Sequence, residues 1–267
     1  MIGAIAGDII GSPYEGQEPP PQGFPLFRAD SCFTDDTVCT LAIADAVMGA
    51  CDYAHALQYF VRRYPNAGYG PAFKRWALGN AARPYGSNGN GAAMRVAAIG
   101  WSATGADDAL RKAAASARVS HDHPDAIRAA QAVALAIWLS RMGSAANTVR
   151  DGLAERLAYA VPSDPKPFKG FDATAAGSVP SALACALLAA NWEDAVRRAV
   201  ALGGDTDTLA CISGAVAEAL HGIPRAIEAA TLARLPPDLA DVIARFRRQH
   251  RSRRGRLTRL LRGRLRQ

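Results

Sequence analysis

The sequence predicts an all-α protein that folds as one domain. Hydrophobic residues make up 49% of its 267 residues, many of them alanine, whereas aromatic residues account for only 7%. This composition favours closely packed helices over a strand-rich core. Apolar residues recur at helical spacing along most of the chain, and no segment shows sustained strand alternation.

The first predicted helix covers residues 2–11, an apolar segment with glycines at positions 3, 7 and 11. A spacing of four places the three glycines on one helix face, where another helix can approach closely. Asp8 lies within this apolar segment, and two roles are open for it. Nearby backbone or an arginine could satisfy its carboxylate, or Asp8 could support a neighbouring polar centre.

Residues 12–33 form a long loop that is rich in proline and carries Glu15. Its length and lack of periodicity indicate a lid or substrate loop. Thr34 is a suitable N-cap for a helix that runs to Gly49. Apolar periodicity then predicts further helices over 53–63, 71–78, 92–102, 106–119, 124–141, 148–160, 174–189, 195–202, 209–220 and 238–248.

Two acidic clusters mark the starts of predicted helices. Thr34, Asp35 and Asp36 begin one helix, and Asp205, Asp207 and Thr208 follow the glycine pair 203–204. One such cluster is most often a cap, but capping a helix needs only one side chain. If the two helix starts meet, four carboxylates converge and require a cation, because like charges at such short distances oppose folding. Oxygen ligands of this kind suit Mg²⁺ or Ca²⁺ rather than zinc.

Several segments together resemble the ADP-ribosylglycohydrolases, the family of dinitrogenase-reductase-activating glycohydrolase and the ADP-ribosyl-acceptor hydrolases. They are residues 2–15, Phe-Thr-Asp-Asp-Thr at 33–37, Gly-Asn-Gly-Ala-Ala-Met-Arg at 89–95, His-x-His-Pro at 121–124 and Gly-Gly-Asp-Thr-Asp-Thr at 203–208. The resemblance extends from residue 2 to about residue 224. It implies an all-α fold with a binuclear Mg²⁺ centre, in which Mn²⁺ could substitute. The implied metal ligands are Thr34, Asp35, Asp36, Asp205, Asp207 and Thr208.

The resemblance also implies roles for residues outside the acidic motifs. Glu15 matches a loop glutamate near the scissile bond, and Asp36 and Glu15 are the candidate catalytic carboxylates. Ser87, Gly89 and Asn90 match a loop that contacts the ADP-ribose diphosphate and ribose, and His121 matches a histidine that lines the ligand cleft. Asn88 departs from the pattern, because some relatives carry an aromatic residue there that stacks on the ligand. The acidic ligands are intact, unlike those of the inactive lens-protein members.

The expected reaction is metal-dependent hydrolysis of the bond between ADP-ribose and an acceptor, with the arginine side chain of a modified protein first among the acceptors. Serine-linked, nucleic-acid-linked or small-molecule ADP-ribose is the alternative within the same chemistry. A rival of another class is a binding module, in which a basic C-terminal segment engages nucleic acid or an anionic membrane.

Charge divides the chain into an expected helical domain, 1–244, and a basic C-terminal tail, 245–267. The tail holds eleven arginines and no acid, which produces the net charge of +7. The remaining 20 basic side chains are outnumbered by the 24 acidic ones. Leucines at helical spacing would allow an amphipathic helix that contacts a polyanion, and a solvated extension is the alternative.

Cysteine usage and hydropathy bear on the cellular location. The five scattered cysteines form no CxxC pair, and this pattern favours a reducing compartment. No apolar run reaches the ~18–20 residues that a membrane-spanning helix needs, and the N-terminus lacks the features of a signal peptide. We therefore expect a cytoplasmic protein.

Overall fold

The computed structural model describes residues 1–49, 51–79 and 83–264, with side chains up to residue 250. This part of the chain contains fourteen α-helices, one 3-10 helix (Ser12–Tyr14) and no β-strand, which confirms the all-α prediction. The α-helices are α1 (Ile2–Gly11), α2 (Asp35–Val47), α3 (Tyr53–Arg63), α4 (Pro71–Leu78), α5 (Gly91–Met94), α6 (Ala97–Ser102), α7 (Ala106–Arg118), α8 (Pro124–Arg141), α9 (Ala146–Leu157), α10 (Ala175–Leu188), α11 (Trp192–Ala201), α12 (Thr206–His221), α13 (Arg225–Leu232) and α14 (Pro237–Arg264).

Helices α1 and α12 form the centre of the fold. All ten residues of α1 are buried, and α12 is buried from Thr206 to Ala217. The glycine face of α1 packs directly on the α12 backbone. A β-carbon added to Gly3, Gly7 or Gly11 would overlap a carbonyl oxygen of α12. The predicted close helix packing is therefore confirmed, and it brings the end of α1 beside the start of α12.

The other helices enclose this pair. Helix α2 packs on α1, α3, α6 and the first part of α14, while α8 packs against α5, α6, α7 and α12. Helices α10 and α11 cover another side of α12. No helix in the described ranges combines the length and apolar character needed to span a bilayer.

Several helix boundaries differ from those predicted. The segment predicted as one helix over 92–102 is two helices, interrupted at Arg95 and Val96. Helix α12 begins at Thr206, three residues before the predicted start at residue 209. Asp205 has non-helical backbone angles and is the N-cap. Helix α13 was not predicted, since its eight residues give too short a periodic signal.

Helix α14 continues through residue 245, where the basic tail was expected to begin. Phe246 is buried, and Arg245 forms an ion pair with Asp45 of α2 at 2.8 Å. The first residues of the tail thus pack on the helical body. The side chains beyond residue 250 lie outside the described residues, and the division at residue 245 stays a prediction.

Candidate metal centre

The start of α2 is held by Asp8 of α1. Thr34 is the N-cap of α2, and its hydroxyl oxygen accepts a hydrogen bond from the Asp36 N–H at 3.3 Å. The Asp8 carboxylate accepts bonds from the Thr34 N–H at 3.0 Å and the Thr34 hydroxyl at 2.7 Å. It also accepts from the Thr37 N–H at 3.0 Å and from the Thr37 hydroxyl. Asp8 is therefore satisfied largely by α2, and it fixes the geometry of the first acidic cluster.

The start of α12 is shaped by two consecutive glycines in the left-handed region. Gly203 and Gly204 have φ values of 72° and 73°, which residues with a β-carbon rarely adopt. Asp205 follows with non-helical angles, and Asp207 lies in the first helical turn. The Thr206 hydroxyl donates to the Gly11 carbonyl at 2.9 Å and so ties this turn to the end of α1.

The two acidic helix starts meet in the folded protein. The Thr208 hydroxyl donates to Oδ2 of Asp36 at 3.1 Å, across 172 positions of sequence. Carboxylate oxygens of Glu15, Asp205 and Asp207 lie within 4.8 Å of one another. Glu15 of loop 12–33 thus lies beside the second acidic cluster. Its position in a long loop did not predict this proximity.

Burial and mutual repulsion raise the pKa values of these carboxyl groups. The pKa of Asp36 and that of Asp207 lie well above their ordinary range, because both side chains are buried beside other carboxylates. Burial, Asp8 and Asp205 raise the pKa of Asp35 to about 8. The pKa of Glu15 is also raised, by partial burial and then by Asp205 and Asp8.

The donor set fits hard divalent cations. Within the described residues, no lysine, arginine or histidine forms an ion pair with the carboxylates at positions 8, 15, 35, 36, 205 and 207. Oδ1 of Asp36 is buried without a hydrogen-bond partner. Carboxylate and hydroxyl oxygens are the ligands that Mg²⁺ prefers, and Mn²⁺ accepts the same set. The residues available to hold such ions are Thr34, Asp35, Asp36, Asp205, Asp207 and Thr208, with Glu15 beside them.

The predicted substrate loop lies against this acidic cluster. The Ser87 hydroxyl accepts a bond from the Gly89 N–H at 3.2 Å and shapes the turn. The Asn90 side chain is buried and donates to Asp205 at 2.7 Å and to Ser178 of α10 at 3.1 Å. Asn90 therefore links the loop to the carboxylates, a role that its position in a glycine-rich loop did not indicate. Ser178 gave no signal in the sequence, since it lies within an apolar helix.

His121 packs against the same loop. Its ring is buried, and its Nε2 atom is 3.2 Å from the position a β-carbon on Gly91 would occupy. His123 lies outside this contact and accepts a bond from the Asp125 N–H at the start of α8. The two histidines of the His-x-His-Pro motif thus have separate roles, ring packing on the loop and helix capping.

Two long loops converge on the glycine turn that precedes Asp205. The N–H of Gly16, from loop 12–33, donates to the Gly204 carbonyl at 2.9 Å. The N–H of Phe168, from loop 161–173, donates to the Leu202 carbonyl at 2.8 Å. Phe171 of the second loop is 57% exposed. Both loops therefore border the acidic cluster, where they can contact a bound substrate.

Comparison with known proteins relates the chain to one enzyme family. The ADP-ribosylglycohydrolase family profile matches residues 1–259. The chain is 25% identical to ADP-ribosylhydrolase ARH3 of Bos taurus, over 85% of each protein. It is 26% identical to the human ARH3, over 85% of this chain and 86% of the relative. A solved ADP-ribosylglycohydrolase-related protein complex has the same fold, with a TM-score of 0.69, 23% identity and coverage of 93% and 97% of the two chains.

The fold and the family match define the class of protein, a family of glycohydrolases, and the convergent acidic helix starts supply oxygen ligands for a metal. The chain belongs to the ADP-ribosylglycohydrolase family.

Proposed function

We propose that this protein is a Mg²⁺-dependent hydrolase that cleaves the glycosidic bond between ADP-ribose and an acceptor, with arginine side chains of modified proteins as the acceptor. The observation that carries the proposal is the meeting of Asp36 with the Asp205–Thr208 turn, next to an exposed glutamate. Family membership supports hydrolysis of ADP-ribose linkages, and the carboxylate cluster supports the use of metal.

The site would hold two Mg²⁺ or Mn²⁺ ions on the oxygens of the six predicted ligands. When bound, such ions supply positive charge that orients sugar hydroxyls and lowers the pKa of water. Asp8 keeps the Thr34 hydroxyl and the α2 start in place for this task. The substrate loop Ser87–Asn90 would receive the diphosphate, because its glycines allow backbone N–H groups to approach an anion.

Of the two catalytic candidates, Glu15 is the one that a substrate can reach. Asp36 is only 2% exposed and accepts a bond from Thr208, whereas Glu15 is exposed at the edge of the cluster. Partial burial, Asp205 and Asp8 raise the pKa of Glu15, the direction that favours uptake of a proton by this carboxylate. We therefore place proton transfer, or stabilisation of the cationic sugar that forms as the bond breaks, on Glu15. We place metal binding on Asp36.

An arginine acceptor is favoured by the charge around the cluster. Glu15 and Glu18 are both exposed on loop 12–33, and a guanidinium approaching them would meet carboxylates. The measurement that tests this is release of ADP-ribose from arginine-, serine- and base-linked substrates with Mg²⁺ present. We expect the arginine-linked substrate to be the fastest. Faster release from a serine- or base-linked substrate would refute the acceptor assignment and leave the metal centre untouched.

Two variants test the metal assignment itself. Asp36→Asn and Asp207→Asn should each lower turnover by more than ~100-fold, because even groups that only orient metal ligands contribute 10–100-fold. Their helical circular-dichroism signal should match that of the wild type. Normal turnover in both variants would refute the assignment.

The cysteines support a cytoplasmic location, which we also propose. All five are free thiols, as a reducing compartment requires. Contact of the basic tail with a polyanion stays a separate proposal, since it depends on side chains outside the described residues.

A further inference from the structure

Arg95 is a fully buried arginine that forms no ion pair with a carboxylate of the described residues. It follows α5, and its exposed fraction is zero. Its Nη2 donates to the Ser116 carbonyl at 2.6 Å and to the Ser120 hydroxyl at 3.0 Å. Its Nε and Nη1 atoms are buried with no hydrogen-bond partner in the described part of the chain, and the guanidinium lies 5.9 Å from the centroid of the Phe73 ring. Burying a guanidinium with unsatisfied N–H groups costs free energy. This cost indicates that the hydrogen bonds from Arg95 to Ser116 and Ser120 have a function.

The Ser120 hydroxyl connects Arg95 to His121 through hydrogen bonds. Ser120 Oγ lies 2.8 Å from Nδ1 of His121. A serine hydroxyl has one proton to donate. Arg95 occupies one of the two lone pairs of this oxygen, and the second could accept from an Nδ1–H. The Ser120 proton would then have no acceptor among the described residues, whereas all three groups are satisfied when Nδ1 accepts it. This arrangement places the His121 proton on Nε2.

His121 is held as a neutral ring. Burial and the nearby Arg95 charge lower the pKa of His121 well below its ordinary value. Phe73 and Tyr85 pack around the ring, with centroids at 6.2 and 5.9 Å. The Nε2 atom faces the Gly89–Gly91 backbone, 3.6 and 3.2 Å from the positions that β-carbons on Gly89 and Gly91 would occupy.

We propose that Arg95 and Ser120 are positioning residues that fix His121 as an Nε2–H donor to an oxygen of the ADP-ribose moiety at the Gly89–Gly91 loop. The ligand part of this inference rests on the proposed function. The proton assignment does not, because it follows from hydrogen bonds within the protein. Arg95 and Ser120 touch no substrate in this scheme and act only through the histidine.

The chain offers a matched pair of variants. Ser120→Ala removes the hydroxyl between Arg95 and His121. Ser116→Ala removes a buried hydroxyl, four residues earlier, that has no hydrogen-bond partner within the described ranges. It keeps the carbonyl that Arg95 contacts. Only Ser120→Ala should alter which ring nitrogen of His121 carries the proton.

Nitrogen-15 NMR of histidine-labelled full-length protein without ligand at pH 7.5 reads the ring directly. His121 should be neutral with its proton on Nε2 in the wild type and in Ser116→Ala. In Ser120→Ala, a substantial share of the proton should move to Nδ1. A wild-type ring protonated on Nδ1, or a Ser120→Ala ring identical to the wild type, would overturn the proposal.

Calorimetric titration with ADP-ribose and Mg²⁺ tests the consequence for binding. Affinity should fall about five- to tenfold in Ser120→Ala, as expected for one impaired hydrogen bond, and should be unchanged in Ser116→Ala. Equal affinity in Ser120→Ala and wild type would overturn the positioning role. If the wild type failed to bind ADP-ribose, the proposed function would fail instead, and the ligand-free NMR result would distinguish that case.

Discussion

Replacing Asp207 by asparagine should stabilise the metal-free protein and remove most of the stabilisation that Mg²⁺ gives. The Asp207 side chain is 3% exposed, and its oxygens lie within 4.8 Å of those of Asp205 and Glu15. Two unit charges at that distance repel by about 3.5 kcal/mol at an effective dielectric constant of 20. Protonation relieves part of this repulsion, so we expect the metal-free variant to gain about 2 kcal/mol over the wild type. The corresponding rise in melting temperature is about 4–8 °C.

Saturating Mg²⁺ should reverse the order of the two proteins. A ligand present at 100 times its dissociation constant stabilises the folded state by about 2.7 kcal/mol, which corresponds to a rise of about 5–11 °C in the wild type. The variant, lacking a charged ligand, should gain only a small fraction of this.

Thermal unfolding followed by circular dichroism, in EDTA and in Mg²⁺, measures both effects. Asp151→Asn, at an exposed position on α9, controls for the loss of one negative charge and should behave like the wild type. The reasoning is refuted if Asp207→Asn is less stable than the wild type in EDTA and gains equally from Mg²⁺.

Three further changes test other parts of the account. Gly7→Ala should destabilise the protein by ~1–3 kcal/mol in urea denaturation, because the new methyl overlaps the Ala210 carbonyl. The control Gly70→Ala places its methyl in open space and should cost less than ~1 kcal/mol. Equal losses of stability in the two variants would contradict the packing argument. Without divalent metal, stability should rise as the pH falls from about 8 towards 4, because carboxyl groups such as Asp35, with a folded pKa of about 8, take up protons preferentially in the folded state; a flat profile would contradict this. Deleting residues 249–267 should weaken nucleic-acid binding steeply at low salt and spare hydrolysis of a small substrate, and loss of that hydrolysis would show that the tail contributes to the site.

The sequence predicted the ends of helices that carry strong local signals. The helices predicted over 53–63 and 124–141 are α3 and α8, and the proline at residue 124 and the glycine spacing of α1 specify geometry within a few residues. The glycine face also predicted a close helix neighbour, although not which helix it would be. Identifying α12 required the fold, since helices separated by about 200 residues leave no local sign of their contact.

The sequence predicted those parts of the candidate site in which metal-ligating residue types lie at the start of a helix. The two Thr/Asp clusters indicate oxygen ligands by residue type, and their meeting was an inference that the Thr208–Asp36 hydrogen bond now supports. The connection of Asn90 to Asp205 and the chain from Arg95 to His121 were not predictable. These contacts depend on side-chain direction within buried segments, which composition and spacing do not encode.

The most direct test of the central claim is a crystal structure of the protein soaked with Mn²⁺ and ADP-ribose, with anomalous data collected for the metal. We predict two anomalous peaks between residues 34–36 and 205–208, coordinated by oxygens of Asp36 and Asp207, with the ADP-ribose diphosphate against the Ser87–Asn90 loop. A fully occupied ADP-ribose with no peak between the two helix starts, or with metal bound elsewhere, would contradict the account.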